Sequence, residues 1–175
     1  MNQDTLQNLV AHALTQRPMG MMRQCEIDQI AAVSIEMEGY CSIGCGNGYE
    51  FPFVKCPHKL GVDIIWLKNP HFPFWSRNLI VNNEFNKVVI KELTEWRKDI
   101  DGKVFFYTDN GNKILELRAI APICQPGDIL GTHDFGTEVP FSMIDELECK
   151  GFRHMNEYDN YLTEYYCLQM FVEKI

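Results

Sequence analysis

The sequence is short of most features that assign a function quickly. No apolar run among its 175 residues approaches the roughly 18 needed to cross a bilayer. Met1-Asn2-Gln3-Asp4 opens the chain without the basic stretch and apolar core of a secretory signal. A cytoplasmic chain with no membrane partner is therefore expected. No repeat, low-complexity tract or linker interrupts it. His-Glu-x-x-His, the phosphate loop and the Gly-x-Ser-x-Gly elbow are missing, which removes the usual motif routes to a zinc protease, a nucleotidase or a serine hydrolase. Bases are scarce as well: 16 Lys and Arg stand against 24 Asp and Glu, a net charge of −8. That balance disfavours phosphate backbones, so no nucleic-acid partner is expected.

Core-forming material is plentiful. Hydrophobic residues make up 46% of the chain and aromatics 12%, enough to offset ordering entropy, so a folded chain is expected. The length suits a single domain over residues 1–175. Seven cysteines cannot all pair, and without an export signal they are expected to be reduced. The acidity is lopsided, with ten acids and three bases in residues 121–175. Asp145, Glu146, Glu148, Glu157 and Asp159 are the candidate surface there for a basic protein partner, since complementary charge speeds association.

Periodicity predicts a helix over 3–15, a strand over 31–37 and a short edge strand over Tyr49–Val54. Val62–Leu67 is β-branched and apolar enough for a central strand, followed by a rigid aromatic loop from Asn69 to Trp75. Phe85, Val88, Val89, Leu93 and Trp96 form one stripe of a helix over 83–98. Residues 103–120 read as a β-hairpin, Lys103–Thr108 and Lys113–Ile120, turned by Asp109-Asn-Gly-Asn112. A helix over 141–149 and a strand over Tyr165–Val172 follow. The expected fold is a single α+β domain with a mostly antiparallel sheet and two to three helices.

Chemistry is concentrated in one stretch. Cys41, Cys45, Cys56 and His58 fall within eighteen positions, among turn residues. Thiolate and imidazole are zinc ligands, and Cys₃His is a structural set that leaves no open position for chemistry. The cofactor expectation is thus none, or zinc. Gly44-x-Gly46-x-Gly48 lies inside the same stretch. With no helix predicted after it, it is not read as a nucleotide loop. A second constellation is Cys124 with His133 and Asp134, the residue types of a thiol nucleophile, its base and an orienting carboxylate.

The run Val62-Asp-Ile-Ile-Trp66, then Phe74-Trp-Ser-Arg-Asn-Leu79, an amphipathic helix and Gly102-Lys-Val-Phe-Phe106 resembles part of the bacterial immunity proteins of polymorphic toxin systems. Some of those carry two Cys-x-x-Cys-Gly motifs. Here Cys41-Ser-Ile-Gly-Cys45-Gly46 is one residue longer, and Cys56-Pro-His58 lacks the second cysteine. The resemblance spans residues 41–106. It implies a non-enzymatic protein that binds and blocks a toxin, and it designates no binding residue. The leading expectation is therefore a small acidic inhibitor of a toxin or another basic protein, its oligomeric state open. A zinc-stabilised module using the cysteine cluster, and a cysteine-dependent hydrolase or transferase using Cys124 and His133, are the alternatives.

Overall fold

A computed structural model describes residues 22–64, 71–158 and 169–175. Its main sheet has seven strands in the order β3-β2-β1-β6-β7-β9-β8. They are β1 (Gly39–Ile43), β2 (His58–Asp63), β3 (Phe74–Ser76), β6 (Val104–Thr108), β7 (Ile129–Thr132), β8 (Phe152–His154) and β9 (Met170–Lys174). A two-stranded ribbon, β4 (Ile80–Val81) and β5 (Glu84–Phe85), lies between β3 and the following helix. β1 pairs in parallel with β2 on one side and β6 on the other, and β2 with β3 and β6 with β7 are parallel too. β9 alone runs against its neighbours. The sheet is thus mostly parallel, not the antiparallel one expected.

Among the described residues, four α-helices connect and cover it: α1 (Gln24–Val33), α2 (Lys87–Lys98), α3 (Lys113–Ile120) and α4 (Ser142–Glu148). Strand alternation divides the core into two layers. Cys41, Ile43, Val104 and Phe106 meet Val89 and Leu93 of α2, Leu117 and Ile120 of α3, and Met143 and Leu147 of α4. Tyr40, Phe105, Tyr107 and Phe171 face the opposite way, against Ile30 and Val33 of α1. Sheets buried on both faces read as nearly continuous apolar runs, as Val-Phe-Phe-Tyr-Thr of β6 does.

Three predicted elements differ from the structure for local reasons. The strand predicted over 31–37 is the end of α1 and a 3₁₀ turn, Ser34–Glu36; Ile27, Ile30 and Val33 supply the buried helical face, while Ile35 is exposed. The hairpin over 103–120 is strand β6 and then helix α3. Asn112 caps that helix, accepting a hydrogen bond from the Leu115 amide at 3.4 Å, so the Asn-Gly pair precedes a helix start. Tyr49–Phe53 forms consecutive turns, closed by Phe53 N donating to Glu50 O at 2.9 Å. The helix over 141–149 and the end of the Tyr165–Val172 strand are present as α4 and β9; the helix over 83–98 is present only from Lys87, as α2 capped by Asn86, with Glu84–Phe85 forming β5. The helix predicted over 3–15, and residues 65–67 of the predicted central strand, lie outside the described residues. Among the described residues, no helix is long and apolar enough to cross a membrane.

Candidate functional site

From β1 the chain builds outward through β2 to β3, then returns to β6 on the other side of β1. The C-terminal ends of β1 and β6 therefore flank a topological switch point, the usual ligand crevice of an open parallel sheet. Asp109 N donates to Ile43 O at 2.8 Å and ties these two ends together. A cavity of about 340 Å³ opens there, lined by Ser42, Gly44, Gly46, Glu50 and Asp109 among others.

The loop leaving β1 is Gly44-Cys-Gly-Asn-Gly48, with positive φ at all three glycines. A Cβ on Gly44 would lie 2.5 Å from the amide nitrogen of Asn110, so glycine there lets the β6 loop pass. A Cβ on Gly46 would meet nothing within 4 Å, which leaves bare backbone facing open space. The Gly46 amide donates to the Asp63 carboxylate at 2.8 Å. Asp63 ends β2 and is buried. A glycine-rich turn after the first strand, followed by an acid at the tip of the second, is how such folds hold a nucleoside: the backbone approaches closely and the acid accepts ribose hydroxyls. No helix follows this loop, in agreement with the sequence reading, so it lacks the helix N-terminus that binds a pyrophosphate.

Two acids line the cavity itself, Glu50 and Asp109. Glu50 is buried, takes a hydrogen bond from Tyr40 Oη at 3.3 Å, and is pushed by burial to a pKa of about 7. Asp109 belongs to a charged cluster at the ends of β6 and β7. His133 Nδ1 lies 3.2 Å from Asp109 and 3.3 Å from Asp134, and its Nε2 lies 3.1 Å from Glu26 of α1. Burial opposes charge on His133, but hydrogen bonds to Asp109, Asp134 and Glu26 outweigh it and hold the imidazolium well above its ordinary pKa. Lys113 Nζ sits 3.5 Å from Asp109, 3.0 Å from Asp134 and 2.8 Å from Glu138.

The thiol centres do not assemble. Cys41 packs in the layer under α2 and α3, whereas Cys45 and Cys56 pack in the opposite layer, with the sheet between them. His58 is exposed at the start of β2, while Cys45 follows the far end of β1. Burial raises the pKa of all three thiols, Cys56 to about 11. Zinc is not supported. Among the described residues, the group able to share an ion is instead Asp109, His133 and Asp134.

Cys124 precedes β7 and His133 follows it, so the two stand at opposite ends of a strand about 13 Å long. The Cys124 thiol is buried, donates to Ile120 O at 3.6 Å and is raised in pKa by burial, the reverse of an activated nucleophile. The hydrolase or transferase built on that pair is ruled out, although His133 and Asp134 do lie beside the cavity's Asp109. Of the five candidate partner-binding acids, Asp145, Glu146 and Glu148 lie on α4 and Glu157 in a 3₁₀ turn, Asn156–Tyr158. Glu146 is paired with Arg118 at 2.8 Å and Lys150 at 2.7 Å. Asp159 is outside the described residues.

Asp63, Glu50, Asp109 and Glu26 carry no motif in the sequence. The available signal was the alternate glycines with an acid 17 residues beyond Gly46. The absence of a following helix sets that signal aside in the sequence, and Gly-Tyr-Cys-Ser-Ile before the loop, fully buried as β1, lacks the β-branched run of a strand.

No family model and no curated protein matches the sequence. Solved structures do share its architecture. The MycE methyltransferase of the mycinamycin biosynthetic pathway, in complex with Mg, SAH and mycinamycin VI, superimposes with a TM-score of 0.56 at 11% identity, covering 97% of this chain and 53% of that one. This chain thus spans about half the length of MycE. A putative ribosomal RNA methyltransferase from Plasmodium falciparum gives 0.54 at 14% identity, with 88% of this chain and 97% of that one covered. The shared fold is the Rossmann-like one of methyltransferases. It overturns the immunity-protein resemblance and, with it, the expected non-enzymatic inhibitor.

Proposed function

We propose that the chain is a methyltransferase that binds S-adenosylmethionine at the switch point between β1 and β6. The observation that carries this reading is the glycine loop facing open space beside Asp63, at the mouth of the cavity. The neighbours of the same fold, one of them bound to SAH, support it. When bound, this cofactor supplies a methyl group on a cationic sulfonium. Asp63 would accept hydrogen bonds from the ribose, and the Gly44–Gly48 backbone would lie against the ligand. Glu50 and Asp109 give the cavity an acidic lining that suits a cation. Methyl transfer needs alignment above all, and a rigid site on strand ends provides it.

Magnesium in the MycE complexes prompts the same question of this chain. The only described candidate, Asp109 with His133 and Asp134, does not fit a divalent ion, because Lys113 Nζ already lies among its oxygens.

Isothermal titration with S-adenosylhomocysteine tests the proposal. Binding in the micromolar range is expected, weakened at least about tenfold, or about 1.4 kcal/mol, by Asp63→Ala. No heat from wild-type protein at millimolar ligand would reject it.

A further inference from the structure

The ends of β6 and β7 gather four carboxylates, Glu26, Asp109, Asp134 and Glu138, around two cationic side chains. Glu26 and Asp134 are buried and Asp109 partly so, and negative charge out of water requires compensation, by a metal or by the protein itself. Both places a metal would need are taken. The Lys113 ammonium contacts three of the carboxylates at 2.8–3.5 Å, with its own side chain only 4% exposed. Both ring nitrogens of His133 face carboxylate oxygens, so the imidazole has no lone pair directed at an ion, whereas a metal ligand must present one.

The fold around these groups is built to keep them there. Lys113 is the first residue of α3, so the Asn112 cap fixes where its side chain starts. Asp134 has positive φ (54°), and its carbonyl accepts the amides of Thr137 and Glu138 at 3.1 and 3.0 Å. That tight turn brings Glu138 back onto Lys113.

We infer that Lys113, with His133, stands in the place of a divalent cation at the cavity's edge, so that this chain's site works without magnesium. Asp109, which lines the cavity, is thereby held by a tethered ammonium in place of an exchangeable ion. The inference concerns metal alone and stands whether or not the cavity takes S-adenosylmethionine.

Manganese titration followed by electron paramagnetic resonance tests it on the whole chain. Wild-type protein should bind no Mn²⁺ at about 1 mM, the weak end of protein cation sites, and its melting temperature should not respond to Mg²⁺ or chelator. Lys113→Ala should gain one Mn²⁺ site that the added change Asp134→Asn removes. Stoichiometric Mn²⁺ on wild-type protein overturns the inference, as does a folded Lys113→Ala that takes up none. If that variant does not fold, Lys113→Gln is judged by the same two results, and the wild-type measurement decides without either. Loss of S-adenosylhomocysteine binding would count only against the methyltransferase reading.

Discussion

Gly44 and Gly46 are two positions apart and share left-handed backbone, yet substitution should separate them completely. At Gly44 a methyl would lie 2.5–2.6 Å from backbone and side-chain atoms of Asn110. Relief requires the β6 loop to move, so Gly44→Ala should cost several kcal/mol, about 1–2 of it from the backbone alone, and lower the melting temperature by more than about 10 °C. At Gly46 only that backbone cost applies, because the methyl meets nothing. Gly46→Ala should fold with a modestly lower melting temperature, but its methyl enters the ligand's space and should weaken S-adenosylhomocysteine by about tenfold or more. Thermal unfolding and titration of both variants check this. A Gly46→Ala protein that binds normally would mean that the loop does not face the ligand. At this scale the sequence was informative about spacing but silent about direction. The glycines stood out, but only the adjoining strand reveals that one is crowded by Asn110 and the other is open.

Among the elements, the end of the sheet where β6 and β7 begin depends on one buried pair. Arg97, in the last turn of α2, makes two bonds to Asp128, at 2.7 and 2.9 Å, and donates to the carbonyls of Ile100 and Gly102. Asp128 also accepts the amides of Val104, which begins β6, and Gln125, both at 2.8 Å. Helix end, strand start and the turn before β7 are thus joined through two side chains that are 4% and 0% exposed. Removing one partner strands a buried charge, so Arg97→Met or Asp128→Leu should each cost about 3–5 kcal/mol in urea unfolding, with the double variant well short of the sum. Fully additive losses would show that the two groups act separately. This joint was not visible in the sequence, because an arginine near a helix end and an acid after Pro126-Gly127 carry no sign of being buried together. Helix α2 itself was legible from its apolar stripe. Helix α3 was not, because Ile114, Leu117 and Ile120 sit beside buried Glu116 and a turn-like Asn-Gly pair, a pattern that strand and helix periods fit equally well. β1 was missed for the opposite reason: Gly39, Cys41 and Ser42 leave it without the β-branched run that marks a strand.

For the whole molecule, the decisive property is where its negative charge is buried, not its total of −8. Sequence could count the acids but could not tell that the parallel topology draws Glu26, Glu50, Asp109 and Asp134, distant in the chain, to one end of the sheet. Burial raises both Glu50 and Glu116 to a pKa of about 7, and its carboxylate partners raise His133. A raised folded pKa contributes stability that is complete below the unfolded value and lost as pH climbs through the folded one. For the two glutamates that loss runs from about pH 4.3 to 7, and for His133 it begins near 6.5. Asp134 acts in the other direction: its pKa is depressed, so its contribution fails only below about pH 3.9. The ligand-free protein should therefore be most stable at mildly acidic pH, its urea midpoint falling between pH 5 and 8, and Glu50→Gln with Glu116→Gln should flatten that fall. A cationic ligand beside Glu50 favours its ionised form, so S-adenosylmethionine should stabilise the protein more at pH 8 than at pH 5 and release a proton on binding near neutrality. Melting curves and buffer-dependent calorimetry measure both effects. A urea midpoint that rises with pH, or a stabilisation by the ligand that is the same at both pH values, would show that these carboxyls do not control the cavity.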